Sequence, residues 1–139
     1  MQGYVCGFFF TPDRSRVLLI RKRRPAWQVE KLNGVGGKIE PGETPAQAMH
    51  REFFEEAGLD VSSWQEVIHL TGRDWQGHFF RAFGNIDAAR SVTDEQLEIH
   101  PATRLPTDVI PNLHWIVPLL LDDDPAAGNY SVVVRPAAS

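Results

Sequence analysis

The segment from Gly37 to Leu59, GKIEPGETPAQAMHREFFEEAGL, constrains the fold more than any other stretch of the 139-residue chain. Thr44 and Gln47 have the spacing of a capping box, and Pro45 stands at the first helical position, where a missing N–H costs nothing. Gly58 sits where a left-handed C-terminal cap is wanted, with Leu59 after it as the apolar contact. These signals predict a helix over Pro45–Ala57. On its wheel Ala46, Met49, Phe53 and Ala57 share a narrow sector, the expected core face. Glu52, Glu55 and Glu56 lie off that face at i, i+3 and i+4, and Ala48 beneath Glu52 leaves room above the backbone. Like charges so placed repel by about 0.2–0.5 kcal/mol per pair in an isolated helix, so the arrangement asks for a cation. Carboxylate oxygens suit the hard ions Mg²⁺ and Mn²⁺ better than zinc, and Mg²⁺ commonly shares its sphere with phosphates. Glu-x-x-Glu-Glu alone reads more readily as a solvated acidic face. The residues around it decide.

Size and charge narrow the classes. A chain of 139 residues, 42% hydrophobic, is enough for one core, and a single domain over residues 1–139 is expected. The net charge of −4 argues against a general nucleic-acid binder. No apolar run approaches the roughly 20 residues of a membrane span and no signal-peptide pattern opens the chain, so a soluble, cytoplasmic protein without a membrane partner is expected. The lone Cys6, inside YVCGFFF, reads as a buried core thiol. The five histidines have no H-x3-H or HExxH spacing, which leaves zinc catalysis unsupported. Asp122, Asp123 and Asp124 read as a solvated helix end.

Tyr4–Phe10 and Arg16–Lys22 are apolar runs around the turn-rich Thr11–Ser15, the pattern of a hairpin. Gly34–Gly37 and the Pro41–Gly42 turn are expected to form the loop feeding the helix. Trp64–Leu70 and Gly77–Phe83 read as strands joined by a short polar loop carrying Trp75. A second helix is expected over Asn112–Leu121, a last strand over Tyr130–Arg135, and a frayed tail after Pro136. This pattern alone gives α/β or α+β.

Gly37, Glu43, Arg51, Glu52, Phe53, Glu55, Glu56, Gly58 and Leu59 match G-x5-E-x7-R-E-U-x-E-E-x-G-U, where U is bulky and apolar. With seven fixed letters at about 7% each, chance would produce this roughly once in a hundred million starts. The segment resembles the Nudix box, and the chain is identified as a member of the Nudix hydrolases. Phe53 is the one departure, where an aliphatic residue is more usual. The resemblance implies an α/β/α sandwich around a mixed β-sheet, and hydrolysis of a nucleoside diphosphate linked to another group with a divalent metal, Mg²⁺ or Mn²⁺. It implies Glu52 and Glu56 as principal metal ligands, Glu55 as a ligand or as the group orienting the attacking water, the Gly36 carbonyl as backbone ligand, and Arg51 as the residue orienting a glutamate, with Glu43 its partner. Glu95, in TDEQLE, is the expected additional acidic ligand, with Glu98 an alternative.

LLIRKRR, LNGVGGK, GGKIEPGETPAQA and PNLHWIVPLLL resemble the MutT-type nucleoside triphosphatases. That branch implies Asn33 and Asn112 as hydrogen-bonding partners of a purine, a task suited to an amide that both donates and accepts. Trp27 and Trp115 are stacking candidates, or core or rim aromatics. Among the clustered basic residues Arg23 and Lys38 are the expected phosphate contacts, Lys38 foremost. Tyr4 and His114 are further pocket candidates. The expected activity is hydrolysis of a (d)NTP, an oxidised purine among them, to monophosphate and pyrophosphate, by a monomer or homodimer. The alternatives are hydrolysis of ADP-ribose or a dinucleotide polyphosphate, and a non-catalytic module that senses a nucleotide.

Overall fold

The computed structural model describes residues 1–123 and 129–136; Asp124 and the tail after Pro136 lie outside the described residues. The order is β1 (Gln2–Phe10), β2 (Arg16–Arg21), a 3-10 turn (Ala26–Gln28), β3 (Leu32–Asn33), β4 (Val35–Lys38), α1 (Pro45–Ala57), β5 (Gln65–Thr71), β6 (Trp75–Phe83), a second 3-10 turn (Ile86–Ala88), β7 (Gln96–Pro101), α2 (Leu113–Leu121) and β8 (Tyr130–Val133). Among the described residues the strands form one eight-stranded sheet in the order β3-β2-β1-β6-β5-β8, with β4 paired to β1 and β7 to β2. The β1–β6 and β5–β8 pairs are parallel and the others antiparallel, so the sheet is mixed.

Strand alternation divides β1 between two cores. Phe8 and Phe10 join Leu113, Ile116, Val117 and Leu120 of α2 on one face. Val5 and Phe9 join Met49, Phe53 and Ala57 of α1 on the other. The expected α/β/α sandwich is therefore observed, one helix to each face. Phe53 fills its position with aromatic contacts: its ring lies 5.3 Å from Phe9 and 5.0 Å from Trp64. Burying a side chain of that size contributes about 1.5–3 kcal/mol.

Four expectations differ from the structure. Gly34–Gly37, expected as loop, falls largely within β4, which pairs with β1 from Gly7↔Val35 to Tyr4↔Lys38. Trp75 opens β6 instead of lying in a turn. β7 was not expected; it pairs with β2 from Arg16↔Pro101 to Arg21↔Gln96. In α1, Ala48 is buried and Ala46 exposed, because the helix leans its Ala48–Glu52 line onto β4. Among the described residues no helix is long and apolar enough to cross a membrane.

Candidate active site

Both ends of α1 are held. The Gln47 N–H donates to Thr44 Oγ1 at 3.2 Å, the Thr44 N–H donates to Gln47 Oε1 at 2.9 Å, and Gly58 closes the helix in the left-handed region at φ 71°. This fixes the rotation of α1 and seats Glu52 against β4. Gly37 is so close to Glu52 that a Cβ added there would stand 2.5 Å from Oε1. Only hydrogen fits between strand and carboxylate. Gly36 is tighter still on its other side, where an added Cβ would meet the Val5 carbonyl oxygen at 1.9 Å.

Arg51 organises the acidic face. Its Nε and Nη2 donate to the two oxygens of Glu43 at 2.7 and 2.9 Å, and Nη2 also donates to the Lys38 carbonyl at 3.1 Å. Nη1 donates to Glu52 at 2.9 Å and reaches Glu55 at 3.3 Å. The three ligand candidates differ in environment. Glu52, with its side chain 13% exposed, has its carboxyl pKa raised by burial, with Arg51 opposing. Glu55 is open to solvent, and Glu56 accepts a hydrogen bond from Thr93 Oγ1 at 2.8 Å.

The two loop glutamates separate clearly. Glu98 lies on β7 and pairs with Arg21 and with His100, away from the helix. Glu95 is 3% exposed, and its oxygens accept from Lys22 Nζ at 3.0 Å and from the Arg23 and Arg24 N–H groups. These donors hold the Glu95 carboxyl below its ordinary pKa although burial opposes them. Glu95, the expected additional acidic ligand, has its oxygens bonded to the segment that follows β2 and is linked to the helix through Thr93, whose Oγ1 donates to Glu56.

A cleft of about 910 Å³ opens over the N-terminal half of β1. It gathers Gly36, Lys38, Asn33, Asn112, Trp27 and Trp115, with Tyr4 and Cys6 on its floor. Lys38 has no ion pair among the described residues, leaving its charge available. Asn112 Oδ1 is buried and accepts no hydrogen bond among the described residues, so it wants a donor. Asn33 is locally engaged: Nδ2 donates to Gln28 Oε1 at 3.1 Å and Oδ1 accepts from the Gly34 N–H at 2.8 Å. Trp27 is 66% exposed and Trp115 38%, which makes both rim residues. Burial pushes the Cys6 thiol pKa up to about 12, so it is an inert wall.

Arg23, expected as a phosphate contact, does not line the cleft. Its side chain points outward, 3.7 Å from Asp94, and Lys22 lines the cleft in its place. His114 belongs to a separate small pocket beside Pro118. Sequence reasoning missed Lys22, Gln28 and Thr93. Only Thr93 carried a local signal, the T-x-E spacing of a turn in which the Glu95 N–H donates to Thr93 Oγ1, at 3.2 Å.

The donor set fits a hard divalent cation. It consists of carboxylates on one helical face, one of them buried in a cradle that a methyl group at Gly37 would fill. Among the described residues no three His, Cys, Asp or Glu side chains close into a cage. An ion that keeps several waters and shares its sphere with phosphates needs none.

The chain is similar to several known proteins. The chain is 31% identical over 128 residues to an oxidized purine nucleoside triphosphate hydrolase of Mus musculus, covering 84% of this chain and 78% of the mouse protein. It is 46% identical over 56 residues to the protein of that name from Danio rerio, where the match spans 40% of this chain and only 35% of the relative. A MutT protein structure from Bacillus halodurans superposes with a TM-score of 0.70 at 21% identity, covering 98% of this chain and 92% of that one. The NUDIX domain signature matches residues 1–118, and the chain belongs to the Nudix hydrolase family.

Proposed function

We propose that this chain, acting as one domain, is a divalent-metal-dependent pyrophosphohydrolase that converts a nucleoside triphosphate, an oxidised purine nucleotide first among them, to monophosphate and pyrophosphate. The observation that carries the reading is the seating of Glu52 against Gly37, beside a cleft that offers an unpaired Lys38 ammonium and an unpartnered Asn112 acceptor. The mouse and zebrafish relatives, both named for oxidised purine nucleoside triphosphates, support the substrate class.

Glu52 and Glu56, with the Gly36 carbonyl, would hold the ion, and Glu55 would join them or orient the attacking water. Bound there, Mg²⁺ or Mn²⁺ supplies charge neutralisation and Lewis acidity toward the phosphates. Arg51 keeps Glu52 and Glu55 from turning away and offsets their mutual repulsion. Glu55 is exposed and carries no bond stronger than its 3.3 Å contact with Arg51, so it is free to accept a proton from a water attacking phosphorus. Lys38 adds positive charge on the cleft side of β4. Asn112 Oδ1 accepts from an N–H on the base edge, and Trp27 and Trp115 flank the ring.

Product analysis over a panel of triphosphates, ADP-ribose and dinucleotide polyphosphates, with Mg²⁺ and with Mn²⁺, tests the reading. Pyrophosphate and monophosphate from triphosphates are expected. Turnover confined to diphosphate derivatives would overturn the substrate class, and tight binding of one nucleotide without turnover of any would make the protein a sensor.

A further inference from the structure

Segment 90–95 lies outside the helix yet holds its metal face in three ways. The Arg90 N–H donates to the Ala57 carbonyl at 3.1 Å and the Val92 N–H to the Glu56 carbonyl at 3.2 Å, covering acceptors that the end of α1 would leave open. Thr93 Oγ1 donates to Glu56 Oε2 at 2.8 Å. The same oxygen accepts from the Glu95 N–H at 3.2 Å, and the buried Glu95 carboxylate is fastened to Lys22 and to the Arg23 and Arg24 N–H groups at the end of β2.

A hydroxyl has one proton to give. The Glu95 N–H can only donate and a carboxylate can only accept, so the Thr93 hydroxyl accepts from the first and directs its proton at Glu56. We infer that Thr93 is a positioning residue for Glu56, orienting one carboxylate oxygen so that the other faces the metal, and that Glu95 anchors Thr93 to β2. The inference rests on the proposed reading of Glu56 as a metal ligand. Groups that hydrogen-bond a ligating carboxylate fix its rotamer and raise metal affinity, and their loss typically costs about 10–100-fold. Valine has the shape of threonine without the hydroxyl, while serine keeps the hydroxyl. Thr93 is exposed, so neither change disturbs a core.

The test is Mn²⁺ binding to the nucleotide-free protein, followed by electron paramagnetic resonance of free Mn²⁺, for wild type, Glu56→Gln, Thr93→Val, Thr93→Ala and Thr93→Ser. Thr93→Val and Thr93→Ala should each weaken Mn²⁺ about tenfold and Thr93→Ser should match wild type. In turnover, the Mn²⁺ concentration for half-maximal rate should rise in step, with the nucleotide KM at saturating Mn²⁺ unchanged. Wild-type affinity in both removal variants, or loss in Thr93→Ser equal to that in Thr93→Val, would overturn the inference while Glu56→Gln still weakens binding. No Mn²⁺ binding by wild type, or none lost in Glu56→Gln, would overturn the ligand reading and the inference with it.

Discussion

Arg51 and Glu43 are joined by two parallel hydrogen bonds, Nε to Oε2 at 2.7 Å and Nη2 to Oε1 at 2.9 Å, across the turn that leads into α1. The Arg51 fork pulls the Glu43 carboxyl from its ordinary 4.5 down to about 2. A carboxyl whose pKa falls on folding stabilises the native state above its unfolded value, and that contribution is lost as pH drops toward the folded one. The thermal midpoint of wild type should therefore exceed that of Glu43→Gln at pH 6, with the gap closing between about pH 4.5 and pH 2. A gap that stayed constant over that range would mean that the pair contributes no pH-dependent stability.

The two glycines of β4 should separate stability from chemistry. Gly36→Ala drives a methyl into the Val5 carbonyl, a backbone atom that cannot yield without opening the β1–β4 ladder. A cost of about 1–3 kcal/mol, a drop of roughly 3–12 °C in Tm, is expected. Gly37→Ala meets the mobile end of Glu52, so the side chain swings aside and the fold persists. Its kcat should fall about 10–100-fold at little cost in Tm. Calorimetry and kinetics on both variants check this, and equal losses of Tm would contradict it.

Asn112 should trade binding against stability. It precedes α2 without capping it through its side chain, and its buried Oδ1 has no partner among the described residues. An unsatisfied buried acceptor costs about 1–3 kcal/mol, so Asn112→Ala should leave Tm unchanged or raised. The KM for a purine triphosphate should rise about tenfold with kcat nearly unchanged, if that oxygen meets the base. A lower Tm with unchanged KM would assign Asn112 to the fold alone.

How far the sequence could be read depended on how local each determinant was. The caps of α1, its glutamate spacing and the first hairpin are written within short windows, and the structure agrees with them. β4 escaped because two of its four residues are glycine, poor strand formers that are there to let Val5 and Glu52 come close. β7 alternates Gln96, Glu98 and His100 with Leu97 and Ile99, but the run is short and Ile99 is exposed, so the strand depends on β2 for its partner. Choosing between Arg23 and Lys22, or between Glu95 and Glu98, required contacts over 70 residues apart, such as Lys22 with Glu95 and Arg21 with Glu98. The hold of Gln28 on Asn33 left no local pattern to read.

The most direct measurement is product analysis of 8-oxo-dGTP hydrolysis by wild type and by Glu56→Gln in Mg²⁺ and ¹⁸O-labelled water, with circular dichroism as a control on folding. Monophosphate and pyrophosphate should form with one labelled oxygen between them. Glu56→Gln should lose about 100-fold or more in rate with its spectrum unchanged. Release of orthophosphate with a nucleoside diphosphate, or undiminished turnover by Glu56→Gln, would contradict the account.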